Sequence, residues 1–280
     1  MSDALVPSLP AVLGAWAARV AADREQVERA REVDDPADFY ARVAHRFRID
    51  PRRTDDAVLN LLLEHARDGE TWLDVGAGGG RYALPLALRA REVVAVEPSR
   101  AMVEALLEDA RSAGITNVRA IGERWPLAGR PPIADVSLMA HIGYDIAEIG
   151  AFIDAVEVST RRLCLAVMGQ SAMTTVATLF WHAIHGERRV ALPALPELLT
   201  VLLARGRLPE VRLVARAPPS FESVDEALAM ARRQLWVRQG TEKDARLVGF
   251  ARRALRTLAD GRLMFEERHS LIGVVAWPPR

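Results

Sequence analysis

The sequence predicts an α/β fold in which helices cover both faces of a mostly parallel, doubly wound sheet. Three observations carry this expectation. Short apolar runs alternate with helix-length segments between Thr71 and Met168. The runs are almost continuously apolar, as strands buried on both faces must be. A glycine cluster, Gly76, Gly78, Gly79 and Gly80, follows the first run directly. Right-handed crossovers between such units place the ligand crevice at the carboxyl ends of the strands.

The elements follow in chain order. Val12, Leu13, Trp16, Val20 and Val27 fall at helical spacings, which predicts a helix over residues 10–33. Asp34, Asp35 and Pro36 stop it and open another, because proline suits a first helical turn. A further helix after Pro51 carries Val58, Leu59, Leu62 and Leu63 as its buried stripe and closes at Gly69. Residues 1–70 therefore read as an N-terminal helical cap. Strands are expected over residues 71–75, 92–96, 117–121, 134–140 and 162–168, with helices over 82–90, 100–113 and 146–160 between them. That alternating core spans residues 71–168. Beyond it, helices over 171–185 and 195–205 form an insertion at about residues 169–209. The elaboration over 210–280 holds a strand at 211–216, helices at 224–236 and 244–258, and a final strand pair at 263–269 and 271–277.

Composition excludes several classes. The 280 residues are half apolar, enough for a sizeable core. With 37 basic and 37 acidic residues the formal charge is zero, so no global footprint for nucleic acid exists. The arginines around Leu235 and Ala254 read as solvated helix faces. Cys164 is the sole cysteine, which rules out an intrachain disulfide or a cysteine metal cluster. The first residues are interrupted by Asp3, Pro7 and Pro10 and carry no basic leader, so no signal peptide is read. No apolar run reaches the roughly 18 residues of a membrane span. A cytoplasmic chain with no membrane partner is expected. His182, His185 and Glu187 are the only metal-like grouping, and without a third evident ligand no metal is expected.

The glycine loop carries the chemistry. Without side chains, its backbone admits a ligand to contact distance. A dinucleotide fingerprint would need a small residue where Arg81 stands, and a phosphate loop would need Gly-Lys-Ser/Thr. Asp74, two residues before Gly76, would repel a pyrophosphate and suits a ligand with an ammonium group. Asp74-Val75-Gly76-Ala77-Gly78-Gly79-Gly80 matches the acidic-x-Gly-x-Gly-x-Gly motif at every required position. On these residues the chain resembles the class I S-adenosylmethionine-dependent methyltransferases.

The resemblance implies a seven-stranded Rossmann-like sheet with a late antiparallel strand near residues 271–277, and a methyltransferase domain over residues 71–280. It implies S-adenosylmethionine as methyl donor and S-adenosylhomocysteine as product. Asp74, Gly76, Ala77, Gly78 and Gly80 would position the amino-acid end of the donor. Glu97 ends the second strand where an acid holds the ribose. Pro98 follows it, and Met102 either lies against the adenine or packs in the core of its helix. Gly122, Glu123, Arg124 and Trp125 resemble the adenine-edge turn, with Arg124 where the family has a small residue. Trp125 either stacks on the base or plugs the sheet.

Asp135 opens the fourth strand, and His141 ends it beside the expected sulfonium. His141 is a candidate general base by its ordinary pKa, or else packs over the donor. Tyr144 and Asp145 are candidates of the same kind. Phe39, Tyr40, Trp181 and His182 are candidate pocket residues under a roof made by the N-terminal helices and the insertion. The expected function is methyl transfer to a small-molecule acceptor. The alternatives are an NAD(P)-dependent oxidoreductase and a non-catalytic S-adenosylmethionine-binding protein.

Overall fold

The computed structural model describes residues 7–34, 38, 49–172, 175–216, 218–265 and 270–280. Its centre is a seven-stranded sheet. Helix α1 (Leu9–Ala30) and helix α2 (Ala57–Glu64) precede strand β1 (Thr71–Val75). Then follow α3 (Ala83–Ala87), β2 (Glu92–Val96), α4 (Arg100–Ser112), β3 (Val118–Ile121), β4 (Ala134–Ala140), α5 (Ile149–Val158) and β5 (Thr160–Gly169). After them come α6 (Thr175–His185), α7 (Leu195–Ala204), β6 (Glu210–Arg216), β7 (Ser220–Phe221), α8 (Val224–Leu235) and α9 (Glu242–Ala254). Strands β8 (Leu255–Thr257), β9 (Leu263–Phe265) and β10 (Ser270–Trp277) complete the order.

The large sheet runs β3-β2-β1-β4-β5-β10-β6. Strands β1 to β5 are mutually parallel, and β10 enters antiparallel to both β5 and β6. The expected doubly wound Rossmann-like sheet with a late antiparallel strand is therefore present. Asp135 fixes one end of it: its Oδ2 accepts from the Thr71 backbone N–H and hydroxyl, each at 2.8 Å, which ties β4 to β1.

Two apolar layers flank the sheet. Trp16, Phe152, Ile153, Leu198 and Leu202 from α1, α5 and α7 pack on one face with Trp277. Leu59, Leu62, Leu84 and Leu106 from α2, α3 and α4 pack on the other. Helix α1 is seated firmly on its layer. Trp16 Nε1 donates to the Ile146 carbonyl at 2.8 Å. A Cβ on Gly150 would lie only 2.9 Å from a Leu13 methyl, so α1 and α5 approach closely. Ion pairs Arg19–Glu197 and Asp23–Arg189 extend the seat.

Some boundaries differ from expectation. The second described helix starts at Ala57 rather than just after Pro51, because the Asp56 carboxylate accepts from Val58 N and Leu59 N and caps it there. The helix expected to open at Pro36 lies outside the described residues. The final two strands do not pair with each other. Strand β9 joins β7 and β8 in a small antiparallel sheet, and β10 joins the large one. The small sheet shares an apolar cluster with α6, α8 and α9 that includes Phe180, Trp181, Leu247 and Phe265. A buried charge hub sits at the end of α5. Glu157, 4% exposed, accepts from Trp277 Nε1 at 3.0 Å and from Arg207 at 3.0 and 2.9 Å, with Arg205 at 3.8 Å.

Candidate functional site

The glycine loop leaves β1 in the left-handed conformation glycine favours, with φ of +73° at Gly76, +53° at Gly78 and +86° at Gly80. Gly76 N and Ala77 N both donate to the Val96 carbonyl, at 2.8 and 3.2 Å, which closes the loop over the end of β2. The third glycine has a packing reason. A Cβ at Gly80 would lie 2.9 Å from Leu84 Cγ and 3.0 Å from Leu106 Cγ. A Cβ at Gly78 would meet nothing within 4 Å. Gly80→Ala is therefore expected to lose about 2–4 kcal/mol of stability, and Gly78→Ala about 1–2. Urea unfolding of the two variants side by side measures the difference.

Beneath the loop lies Asp74, 2% exposed. Its Oδ1 is buried with no hydrogen-bond partner among the described residues. Burial, with the negative charge of Glu97 second, pushes its carboxyl up to about 7 against the pull of the Ala83 backbone N–H. The site thus holds a costly, half-satisfied carboxylate. An ammonium group placed there would pair it. Glu97 is better satisfied: its Oε2 accepts from Gly78 N at 2.9 Å and its Oε1 from Ser99 N at 2.8 Å. Burial raises its pKa, and those two bonds oppose the rise. Ser99 also caps α4 through Met102 N and donates to the Asp38 carboxylate at 2.9 Å.

A cavity of about 610 Å³ opens above these groups, a volume typical of small-molecule sites. Of the sequence-predicted residues, Asp74, Gly76, Ala77 and Gly78 line its floor. Glu97, Pro98, Met102, Arg124 and Trp125 line one wall, and His141, Tyr144 and Asp145 another. Gly80 packs behind the loop, and Gly122 and Glu123 are exposed and outside the lining. Of that turn, Arg124 and Trp125 reach the cavity. Trp125 both lines the cavity and packs in the apolar layer with Phe152. Met102, 2% exposed, likewise packs and lines. Trp181 and His182 are not part of the lining. Trp181 is wholly buried against α8 and α9, where Arg189 stacks on it, and His182 is solvent-exposed. Phe39 and Tyr40 lie outside the described residues.

Sequence reasoning missed Arg24, Tyr82, Ile142 and Phe152, which also line the cavity. It read Arg81 only as a departure from a dinucleotide pattern. Arg81 pairs with Asp56 at 2.7 Å, and Arg53 donates to that carboxylate at 3.0 Å and to the Arg81 carbonyl at 3.0 Å. The N-cap of α2 thus anchors the glycine loop.

His141 occupies the left-handed region at φ +58°, uncommon for a residue with a side chain. Its Nε2 lies 3.3 Å from the Tyr82 hydroxyl, and its Nδ1 is buried with no partner among the described residues. Burial first, then the positive charges of Arg81 and Arg216, lowers the imidazole to about 4. At neutral pH the ring is therefore uncharged. The Tyr144 hydroxyl oxygen accepts from Gly169 N at 2.8 Å, bracing the end of β5, and the residue lines the cavity.

The parallel strands of the sheet thus end around a glycine loop that lies over a buried carboxylate at the cavity floor. Over residues 73–148 the chain matches the family model described as a methyltransferase domain. It is 44% identical over 73 residues to the 23S rRNA (uracil(1939)-C(5))-methyltransferase RlmD of Alkalilimnicola ehrlichii, covering 26% of this chain and 16% of that protein. The chain spans about a quarter or less of the length of the curated relatives it matches. The YcgJ protein of Bacillus subtilis shares the fold at a TM-score of 0.56 and 15% identity, over 79% of this chain and 98% of that one. So does magnesium protoporphyrin IX methyltransferase of Synechocystis PCC 6803 with bound S-adenosylhomocysteine, at a TM-score of 0.50 and 14% identity. That likeness covers 94% of this chain and 97% of the other. Among the described residues no helix is long and apolar enough to cross a membrane.

Proposed function

We propose that the protein transfers the methyl group of S-adenosylmethionine to a small-molecule acceptor. The observation that carries the reading is the unpaired Oδ1 of Asp74 under a glycine loop at the cavity floor. It fits the ammonium of an amino-acid tail and disfavours the phosphates of a dinucleotide. When bound, the donor supplies an already activated methyl group. The chain has to hold donor and acceptor close and aligned, and to keep water out. Asp74 would take the ammonium, and the Gly76 to Gly78 backbone would lie along the amino-acid tail. Glu97 would face the ribose, held in orientation by Gly78 N and Ser99 N. Arg124 and Trp125 would border the adenine. The remaining lining, Phe152, Ile142, Tyr82 and Arg24, would meet the acceptor.

A small acceptor is favoured by the size of the cavity and by balanced charge. The named curated relative acts on ribosomal RNA, but its likeness is confined to 73 residues. Isothermal titration with S-adenosylhomocysteine and NADPH in parallel tests the donor. Binding of S-adenosylhomocysteine alone is expected, and tight NADPH binding without it would overturn the reading in favour of the oxidoreductase. Radiolabelled methyl transfer to a metabolite extract and to total RNA then tests the acceptor. Label in RNA alone would refute the small-molecule assignment, and label in neither would leave a non-catalytic binding protein.

A further inference from the structure

We propose that Tyr82 holds the acceptor by donating its hydroxyl proton into the cavity, in a direction set by His141, and that the acceptor presents a carboxylate-type oxygen there. This rests on the methyltransferase reading for the occupant of the rest of the cavity. The hydrogen bonding of the two side chains carries it. Tyr82 Oη and His141 Nε2 are 3.3 Å apart, and both residues line the cavity. A single bond joins them, and it has two polarities. Either Tyr82 donates to Nε2 and the ring proton sits on Nδ1, or Nε2–H donates to Tyr82 Oη and Nδ1 keeps a lone pair.

Nδ1 decides between them. It is buried and has no partner among the described residues. A buried N–H without an acceptor is rarer and harder to accommodate than an acceptor left unpaired. The proton therefore belongs on Nε2, and Tyr82 Oη accepts it. Burial keeps the ring neutral, so it has no second N–H to offer. The Tyr82 proton must then point away from His141. The Arg81 guanidinium also hydrogen-bonds the Tyr82 hydroxyl, and since it can only donate, that side cannot take the proton either. Tyr82 is 4% exposed, and the cavity is the open direction left.

A hydroxyl donor binds an anionic oxygen more strongly than a neutral one. Arg24 reaches the same cavity from α1 and adds positive charge. A carboxylate-type oxygen is also anionic at neutral pH without a base to ionise it, which suits a site whose buried imidazole is held below its usual pKa. Asp145 and Glu148 line the cavity as well and would favour an amine. The amine arm of the test is theirs.

Nitrogen-15 NMR of histidine-labelled protein reads the ring directly. The Nε2–H tautomer is expected for His141, and the Nδ1–H tautomer would overturn the assignment. Titration of benzoate and benzylamine into the protein saturated with S-adenosylhomocysteine reads the acceptor. Benzoate is expected to bind at least about tenfold more tightly than benzylamine, and Tyr82→Phe to weaken benzoate by about tenfold or more. A preference for benzylamine, no benzoate binding, or full benzoate affinity in Y82F would each overturn it. Failure of S-adenosylhomocysteine to bind the wild-type protein refutes the methyltransferase reading instead. The tautomer, measured on the protein alone, judges the Tyr82–His141 arrangement in either case and does not depend on Y82F folding.

Discussion

Asp74→Asn is expected to bind S-adenosylhomocysteine about 10- to 100-fold more weakly than the wild type at pH 8, and yet to melt at a higher temperature without ligand. The lost affinity is that of a hydrogen bond between charged groups, about 1.5–3 kcal/mol. The gain follows from the sign of the pKa shift. Asp74 titrates near 3.8 when unfolded and near 7 when folded, because burial and Glu97 disfavour its charge. Between those values the folded chain holds a proton that the unfolded chain has released, so stability falls as pH rises through the window. The loss is at most about 4 kcal/mol, and asparagine removes it. The same shift makes ligand binding pH-dependent: below about pH 7 the ammonium must displace a proton, so affinity rises through pH 7 and then levels. Calorimetry from pH 6 to pH 9 and circular dichroism melts check both halves. Equal affinity for the two proteins, or a flat wild-type profile, would remove Asp74 from the donor site.

Glu157→Ala has the larger expected effect on stability, a loss of about 3–5 kcal/mol. Its carboxylate, 4% exposed, is shared by Trp277 Nε1, Arg207 and Arg205, and Arg205 is itself only 8% exposed. Alanine strands the indole N–H and leaves the two guanidiniums with Asp154, which contacts Arg205, as their nearest anion. Breaking one side of a buried network costs far more than the network contributes to begin with. Glu157→Gln, which keeps an oxygen for Trp277, is expected to lose less than half as much. Urea unfolding measures both, and an alanine variant with the wild-type midpoint would show the hub to be dispensable.

The sheet was legible because its strands are buried on both faces and therefore leave short, nearly unbroken apolar runs. The glycine loop was legible because a turn through positive φ needs glycine and its buried acid stands two positions ahead of the first one. Both signals are local. Strands β9 and β10 were misjudged because a short gap between two apolar runs looks like a hairpin, whereas their partners are set by layers built from distant segments. Helix α3 came out shorter than its apolar run, since residues 88–90 turn directly towards β2. Tyr82 escaped notice because it follows the glycine loop, where attention falls on the backbone. Its significance lies in Nε2 of a histidine 59 positions away. Arg24 gave no signal at all, since an exposed arginine on an amphipathic helix is ordinary until the helix is placed over a cavity.

The seat of α1 divides the cavity between two stretches of chain with separate histories available to them. The residues proposed to meet the donor come from the strand ends of the sheet and the segments that follow them. The wall opposite is held by Trp16 on Ile146 and Leu13 on Gly150, and contributes Arg24 from more than 40 positions before the first strand. Substitutions along α1 can therefore reshape one wall of the cavity while the glycine loop stays as it is. A transplant of this helix between relatives is the smallest graft that exchanges one wall of the cavity and leaves the other intact.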